Sequence, residues 1–334
     1  MILRGQTSRR LIGVLLLTLA SFTFSTCGGT GTDLAGGGSS GTGVSTGSIT
    51  GFGSVIMNGA HYLTDSQVAP GFVTMKTFMG MDNSSMMDRV LFHVGMVVTI
   101  RHGSNDNNAQ QIEYQDNLQG PIAAKNSGAE NTVTILGQTV VVGDAAVFAS
   151  LNLNEIAEVS GYVDSAGRIR ASYIAMVPCS MMMGMCTPSE FEVKGYVSGL
   201  SSSGFRLGPL PGGTGTNVGV SFAGAGLGNG MYVQVVTSDA QPVSGVITAT
   251  RIQQLSSRTV FPEKSMVDLE GLVTAPPSGS GSALSFALEG KQVQTDGNTQ
   301  FTGGTAAGIG PDVKLQVQGT ENGGVLSAGK IIFR

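Results

Sequence analysis

The sequence predicts an all-β protein made of four tandem repeats, each forming a small closed β-barrel. The chain of 334 residues contains 51 Gly and only 12% charged residues, and its runs of Val, Ile and Thr suit short strands joined by turns. No long stretch has the 3.6-residue apolar period of an amphipathic helix. Two short patterns recur four times in the same order and at similar spacing, which indicates an internal repeat.

The two recurring patterns mark the beginning and the end of each repeat. The opening pattern is an apolar residue, any residue and Gly, at 49–51, 118–120, 193–195 and 269–271. The closing pattern is Ala-x-x-Ile, at 109–112, 171–174, 249–252 and 328–331. Residues three apart in a regular strand point to opposite faces, so the closing strand either carries a β-bulge or is covered on both sides. Both are common where a small sheet curls into a barrel and so removes its exposed edges.

The N-terminus has the features of an export signal. A basic start precedes a mainly apolar run at 11–24, which is short for a membrane span and suits a signal-peptide core. We therefore predict a signal peptide over 1–26. The residues around Cys27 resemble the lipobox of bacterial lipoproteins, in which the Cys is lipidated; cleavage of an ordinary secretory signal nearby is the alternative. By the same resemblance, Gly28 favours sorting to the outer membrane of a Gram-negative bacterium.

A tether is predicted to follow the signal. Segment 27–46 is rich in Gly, Ser and Thr, and beyond the lipidated Cys27 it offers little that could pack in a core. Such a composition behaves as a flexible coil. We therefore expect it to separate the folded part of the chain from a membrane without fixing its orientation.

Barrel repeats are predicted at 47–117, 118–177, 191–255 and 265–334, with a linker at 178–190. In the first repeat, Asn58-Gly59 between apolar runs is the strongest short signal for a two-residue hairpin. Leu136-Gly137 and Glu289-Gly290 occupy the matching place in the second and fourth repeats. The third repeat is the most divergent, since Pro209 and Pro211 fall in its hairpin region. Each repeat is expected to bury its own core.

The repeats resemble a known bacterial family, the domain of unknown function 5666. The resemblance is carried by 49–59, 95–98, 118–122 and 136–140, together with the Ala-x-x-Ile endings. It covers most of 47–334 and is strongest in the first, second and fourth repeats. The family resembles small OB-like β-barrels, often in tandem behind a lipoprotein signal. The resemblance therefore implies four OB-like barrels and a cell-envelope setting, but no activity.

The linker at 178–190 concentrates sulfur. An even pair of Cys in an oxidising compartment is most simply a disulfide, so we predict a bond between Cys179 and Cys186. Thioether and thiolate sulfurs are also soft ligands that suit Cu(I). The candidate copper ligands are Cys179, Met181, Met182, Met183, Met185 and Cys186. The alternative is that Met here fills irregular gaps between barrels.

A second group of Met residues lies mainly in an insertion that lengthens the first repeat. Its members are Met75, Met79, Met81, Met86, Met87 and Met96. The same two interpretations apply to this group, namely a soft-metal site or the filling of gaps. Copper is the sole cofactor for which the sequence offers candidate ligands.

The sequence favours a non-enzymatic role. The three His have no zinc-type or haem-attachment spacing, and there is no nucleophile elbow before a helix. We expect an envelope lipoprotein that is a structural or binding module, with a soft-metal (copper) binding lipoprotein as the alternative. Its expected partners are the membrane, through the lipid anchor, and an unidentified protein or small ligand. The formal charge of −4 and the lack of a basic block argue against nucleic acid.

Overall fold

Strands form nearly all the regular structure of the described chain. The computed structural model describes residues 42–103, 106–177, 190–213, 217–222 and 226–334. The predicted class is confirmed, because the strands form small closed β-barrels of OB-like type that lie in two sheets. Within the described ranges, no helix combines the length and the apolar character that a membrane crossing requires.

Barrel 1 has a ring of strands and an added arm. Its elements are β1 (Thr42–Phe52), β2 (Val55–Met57), β3 (Ala60–Tyr62), a 3-10 turn (Asp65–Gln67), β4 (Met75–Phe78), β5 (Met81–Asp82), α1 (Asp88–Leu91), β6 (Val97–Gly103) and β7 (Ala109–Tyr114). The ring runs β1-β2-β3 and β7-β6-β1, and a parallel bridge between Leu63 and Asn108 joins its two halves. Strands β4 and β5 extend the sheet outward from β7.

Barrels 2 and 3 each close through five paired strands. Barrel 2 contains β8 (Leu118–Asn126), β9 (Thr132–Ile135), β10 (Gln138–Val142), α2 (Ala145–Ser150), β11 (Ile156–Val163) and β12 (Ile169–Met176). Barrel 3 contains β13 (Phe191–Ser198), β14 (Gly204–Gly208), a 3-10 turn (Pro211–Gly213), β15 (Val218–Ser221), β16 (Tyr232–Thr237) and β17 (Val246–Gln254). In both, the third and fifth strands pair in parallel and the other pairings are antiparallel.

Barrel 4 follows the same order of pairings. It contains β18 (Met266–Ser280), β19 (Ala283–Leu288), β20 (Lys291–Gln294), β21 (Gln300–Thr302), a 3-10 turn (Ala306–Gly308), β22 (Lys314–Asn322) and β23 (Val325–Phe333). Strands β20 and β23 pair in parallel, and β22 closes the ring on β18. The short β21 lies parallel to β23 as an addition to the ring.

The hairpin turns and the bulges agree with the sequence patterns. Both residues of each predicted turn have positive φ, at Asn58-Gly59, Leu136-Gly137 and Glu289-Gly290. At every Ala-x-x-Ile ending the register shifts directly after the Ala. The residues left out of the ladder are Gln110, Ser172, Thr250 and Gly329. The bulge alternative is therefore the correct one, and it turns the Ala and the Ile toward the same interior.

The first barrel begins earlier than the sequence indicated. Residues 42–46, assigned to the tether, are part of β1 and pair with both β6 and β18. The opening glycine of this barrel is Gly47 rather than Gly51. Gly47 pairs with the second residue of β6, and in barrel 2 the opening Gly120 pairs in the same way with the second residue of β11. An added Cβ at Gly47 would lie 2.1 Å from Asn58 Oδ1, so packing requires glycine here.

The barrels join in pairs. Barrels 1 and 4 share one sheet through the parallel pairing of β1 with β18, and barrels 2 and 3 share another through the antiparallel pairing of β8 with β13. The buried side chains of barrels 2 and 3 form one continuous cluster, and Val44 of β1 lies in the core of barrel 4. Barrels 2 and 3 therefore do not bury separate cores, whereas barrel 1 has a buried cluster of its own. The other predicted domain boundaries stay predictions.

Candidate functional site

The loop between β19 and β20 places a buried carboxylate between barrels 2 and 4. Glu289 is the first residue of the two-residue turn, and its positive φ directs the side chain back over Gly271. The backbone N–H groups of Val163 and Leu272 each donate to Glu289 Oε1 over 3.1 Å. Burial raises the pKa of Glu289 to about 6, although these hydrogen bonds and a nearby Arg oppose the rise.

That Arg is Arg258, in the connection between barrels 3 and 4. Its Nη2 donates to the carbonyl oxygen of Gly161 over 2.5 Å and lies 3.5 Å from Glu289 Oε2. The hydroxyl of Thr46 in β1 donates to the carbonyl oxygen of Arg258 over 3.4 Å. Residue 258 therefore contacts barrels 1, 2 and 4 at once.

A second carboxylate, Glu270 of β18, lies in the same region, which we call the junction because barrels 1, 2 and 4 meet there. Its Oε1 accepts hydrogen bonds from the hydroxyls of Tyr162 and Ser48, the latter over 2.9 Å, and lies 3.1 Å from Lys314 Nζ. Burial alone would raise the pKa of Glu270, but the Tyr162 hydroxyl and the Lys314 ammonium lower it. Val97, Tyr162 and Leu272, from barrels 1, 2 and 4, pack beside it as a small apolar cluster.

The third charged group joins barrel 3 to the connection between barrels 1 and 2. Lys194 Nζ contacts Asp116 Oδ1 and lies 2.6 Å from Glu192 Oε1, and all three side chains are largely buried. Complete burial raises the pKa of Asp116 to about 8, because the Lys194 charge only partly replaces the lost water. Burial would raise the pKa of Glu192 too, but the Lys194 ammonium lowers it. One ammonium thus faces two carboxyl groups, of which Asp116 holds the proton more tightly.

These buried charges fasten the barrels to one another. The Arg258–Glu289 and Lys194–Asp116 pairs link different parts of the fold, and breaking a buried pair leaves a charge without its partner. Sequence reasoning missed all of these residues. Glu289 was interpreted only as a turn residue, and Arg258 fell between two predicted repeats. The sequence did offer one signal for a buried carboxylate here. Glu289 occupies a turn position at which barrels 1 and 2 carry Asn58 and Leu136.

Open clefts surround the exposed side chain of Val260, next to Arg258. One, of about 500 Å³, lies between Tyr196 and the β19–β20 turn. A second, of about 480 Å³, lies between Tyr196 and the end of β17. These volumes are within the range of small-molecule sites. Beside them, the cleft against the outer face of β6 and β7 has a volume of only about 40 Å³.

The residues predicted to carry lipid, disulfide or metal lie outside the described part of the chain. They are Cys27, Cys179, Met181, Met182, Met183, Met185 and Cys186. Those assignments therefore stay predictions. Among the residues that are described, no group of three or more His, Cys, Asp or Glu could hold a metal ion.

The second Met group lies mostly on the surface. Met75, Met81, Met86 and Met87 are exposed, whereas Met96 is buried in the core of barrel 1. The exposed residues belong to the insertion, here defined as 63–94. Eight of the thirteen large apolar side chains exposed in the described chain lie in this insertion: Leu63, Val73, Met75, Met81, Met86, Met87, Val90 and Val94.

Comparison with known families assigns two of the barrels. Segments 119–175 and 270–332 match the family model described as Domain of unknown function (DUF5666). The matched segments cover most of barrels 2 and 4, so the resemblance seen in the sequence is confirmed there. The chain matches none of the curated proteins with which it was compared.

Proposed function

We propose that this chain, which carries two domains of the DUF5666 family, is a cell-envelope lipoprotein that acts as a non-enzymatic structural or binding module. In this proposal Cys27 carries acyl chains such as palmitate that hold the protein in the outer membrane of a Gram-negative bacterium. The export signal, the short apolar run and the Cys before a Gly-rich segment support the anchor. The partner is a protein or a small ligand.

The observation that carries the binding role is the apolar surface of the insertion. Large exposed apolar patches on soluble proteins mark interaction sites, and Met is enriched in protein interfaces. Lys76 holds the insertion in one conformation, because its buried ammonium lies 2.5 Å from Asp65 Oδ2, 3.1 Å from Asp88 Oδ1 and 2.7 Å from the Met86 carbonyl oxygen. A patch held in place in this way loses little conformational entropy when a partner binds.

Membrane fractionation tests the anchor. The wild-type protein is expected in the outer-membrane fraction with an acyl mass on Cys27, and Cys27→Ser is expected in the soluble fraction. Cys179→Ser is the matched control and should fractionate as the wild type does. Membrane partitioning of Cys27→Ser, together with a wild type that carries no acyl mass, would contradict the proposal.

Site-specific photo-crosslinking in cells tests the binding surface. A photoreactive residue at Met87 is expected to form adducts with a partner. The same residue at Val243, which is 73% exposed on barrel 3, serves as the control and is expected to form none. Equal crosslinking at the two positions, or none at either, would remove the support for a partner at the insertion.

A copper-binding role is the second candidate. The observation that favours it is the exposure of Met75, Met81, Met86 and Met87 on one insertion. Exposed thioethers are accessible to a soft cation such as Cu(I). In this version the Met- and Cys-rich linker at 178–190 supplies the stronger ligands, because it also contains two thiols.

A further inference from the structure

Three clefts meet at one exposed side chain. Val260 is 63% exposed and lines the clefts against barrel 1, beside barrel 3, and between barrels 3 and 4. Tyr196 of β13 lines both of the larger clefts. We call the continuous surface formed by these clefts the Val260 groove. It crosses three barrels, at the place where the connection 255–264 runs between barrels 3 and 4.

The lining of the groove combines aromatic rings with uncharged polar groups. Tyr196 and Tyr232 line the arm beside barrel 3, with ring centroids 5.0 Å apart and planes tilted by 59°. The other exposed polar side chains of the two larger clefts include Asn229, Gln254 and Gln292. Rings and amides of this kind recognise ligands that have both an apolar face and hydrogen-bonding edges.

Lys291 and Arg258, the largely buried cations of the groove, are already paired, whereas the exposed Glu263 and the half-buried Arg101 and Glu113 also line it without an ion pair among the described residues. Lys291 Nζ lies 2.7 Å from Glu321 Oε1, and the Arg258 guanidinium faces Glu289. Cations held by internal carboxylates offer little to a phosphate or to another anion. Within the described chain, the two larger clefts therefore offer no unpaired cation to an anionic ligand, and a neutral ligand requires none.

One buried acceptor in the groove has no donor. Glu321 is 2% exposed and lines the cleft between barrels 3 and 4, and its Oε2 accepts no hydrogen bond from any described residue. A buried acceptor without a donor is destabilising, so a ligand that supplies one gains affinity. A hydroxyl group is a neutral donor of suitable size.

We propose that the Val260 groove binds a neutral oligosaccharide. A sugar ring presents a C–H face that packs on Tyr196 or Tyr232, and its hydroxyls donate to Glu321 and to the amides of Gln254 and Gln292. The inference goes beyond the proposed function, because it requires neither the lipid anchor nor the insertion. Its failure would therefore leave the fractionation and crosslinking results unaffected.

Calorimetric titration of the purified full chain tests the inference. The detergent must carry no sugar headgroup, and the probes are maltotetraose and chitotetraose, which differ in their acetamido groups. Saturable binding of at least one probe is expected. Val260→Lys places a long charged side chain where the clefts meet and should weaken that binding by about tenfold or more.

Three further variants make the result specific. Val243→Lys changes an equally exposed valine outside the groove and should bind as the wild type does. Tyr196→Phe keeps the ring but loses the 2.8 Å hydrogen bond to Ser257, and should retain binding, whereas Tyr196→Leu should lose it. Circular dichroism confirms that each variant is folded. The inference would be overturned if neither sugar gave saturable heat, or if wild type and Val260→Lys bound with equal affinity. It would also be overturned if a neutral peptide bound and no sugar did.

Discussion

Val44 and Val267 lie side by side on the parallel first strands of barrels 1 and 4, and both belong to the core of barrel 4. The first strand of barrel 1 thus completes the core of the last barrel. Because β1 also pairs with β6, it cannot leave barrel 4 without opening barrel 1. The two barrels are therefore expected to unfold together.

Shortening Val44 tests this coupling. Val44→Ala should lower the free energy of unfolding by about 2 kcal/mol, because it leaves a cavity in the core of barrel 4. Hydrogen exchange should accelerate in β18 and β22 as well as in β1. Val243→Ala, at an exposed valine, should change stability by less than about 0.5 kcal/mol. Faster exchange confined to β1 would show that barrel 4 does not depend on this contact.

Removing the Arg258 charge should loosen the junction. Arg258→Met leaves Glu289 buried without its cation and should lower the free energy of unfolding by about 3 kcal/mol. Adding Glu289→Gln should recover part of this loss, which a double-mutant cycle measures by chemical denaturation. The control is Arg251→Met, since Arg251 is exposed and lies 3.9 Å from Glu190. Additive effects of the two junction changes would mean that the pair is not coupled.

The Asp116 carboxyl predicts a loss of stability at alkaline pH. Its pKa is raised from about 3.9 in the unfolded chain to about 8 in the folded one. The folded state therefore holds more protons across that interval, and the free energy of unfolding falls as the pH rises toward 8. Denaturant unfolding at pH 6 and pH 9 should show this fall in the wild type and much less of it in Asp116→Asn.

The Glu289 carboxyl supplies the control for that experiment. Because the pKa of Glu289 is about 6 in the folded chain, its protonation affects the free energy of unfolding mainly between about pH 4.5 and pH 6. Within that range the free energy of unfolding also falls as the pH rises. Glu289→Gln should therefore leave the fall between pH 6 and pH 9 unchanged. If the wild type and Asp116→Asn lose the same free energy over that range, the Asp116 carboxyl is not the group responsible.

Anaerobic titration with Cu(I) against a chelator separates the two Met groups. One variant replaces the linker residues Met181, Met182, Met183 and Met185 by Leu, and the other replaces Met75, Met81, Met86 and Met87 by Leu. The copper proposal expects the linker variant to bind more weakly, and expects the affinity of the wild type to rise when the predicted disulfide between Cys179 and Cys186 is reduced. Equal affinities in wild type and both variants, or no binding in either redox state, would exclude both Met groups as the copper site.

Local patterns predicted local structure well. The hairpin turn at Asn58-Gly59 needs positive φ at both residues, which few residue pairs tolerate, so it was visible in the sequence. The turn at Leu136-Gly137 was found through its matching place in the second repeat. The spacing of Ala171 and Ile174 likewise required a bulge if both were to face one interior. Gly47 was missed because no apolar residue stands two positions before it. Its Gly- and Ser-rich surroundings have the composition of a coil, whereas the glycine is there to allow contact with Asn58.

The junction could not be predicted in the same way. Lys194 pairs with Asp116, and Arg258 with Glu289, across chain separations that no local period records. Each of these residues, taken alone, has the sequence signature of an ordinary solvated charge. Only the packing of the barrels against one another removes the water and gives the charges their partners.

Differential scanning calorimetry of the full chain tests most directly whether the junction fastens the barrels into one unit. We expect one transition for the folded part, with equal calorimetric and van't Hoff enthalpies, and separate transitions once Arg258→Met loosens the junction. Several independent transitions in the wild type would contradict it, as would a thermogram that Arg258→Met leaves unchanged.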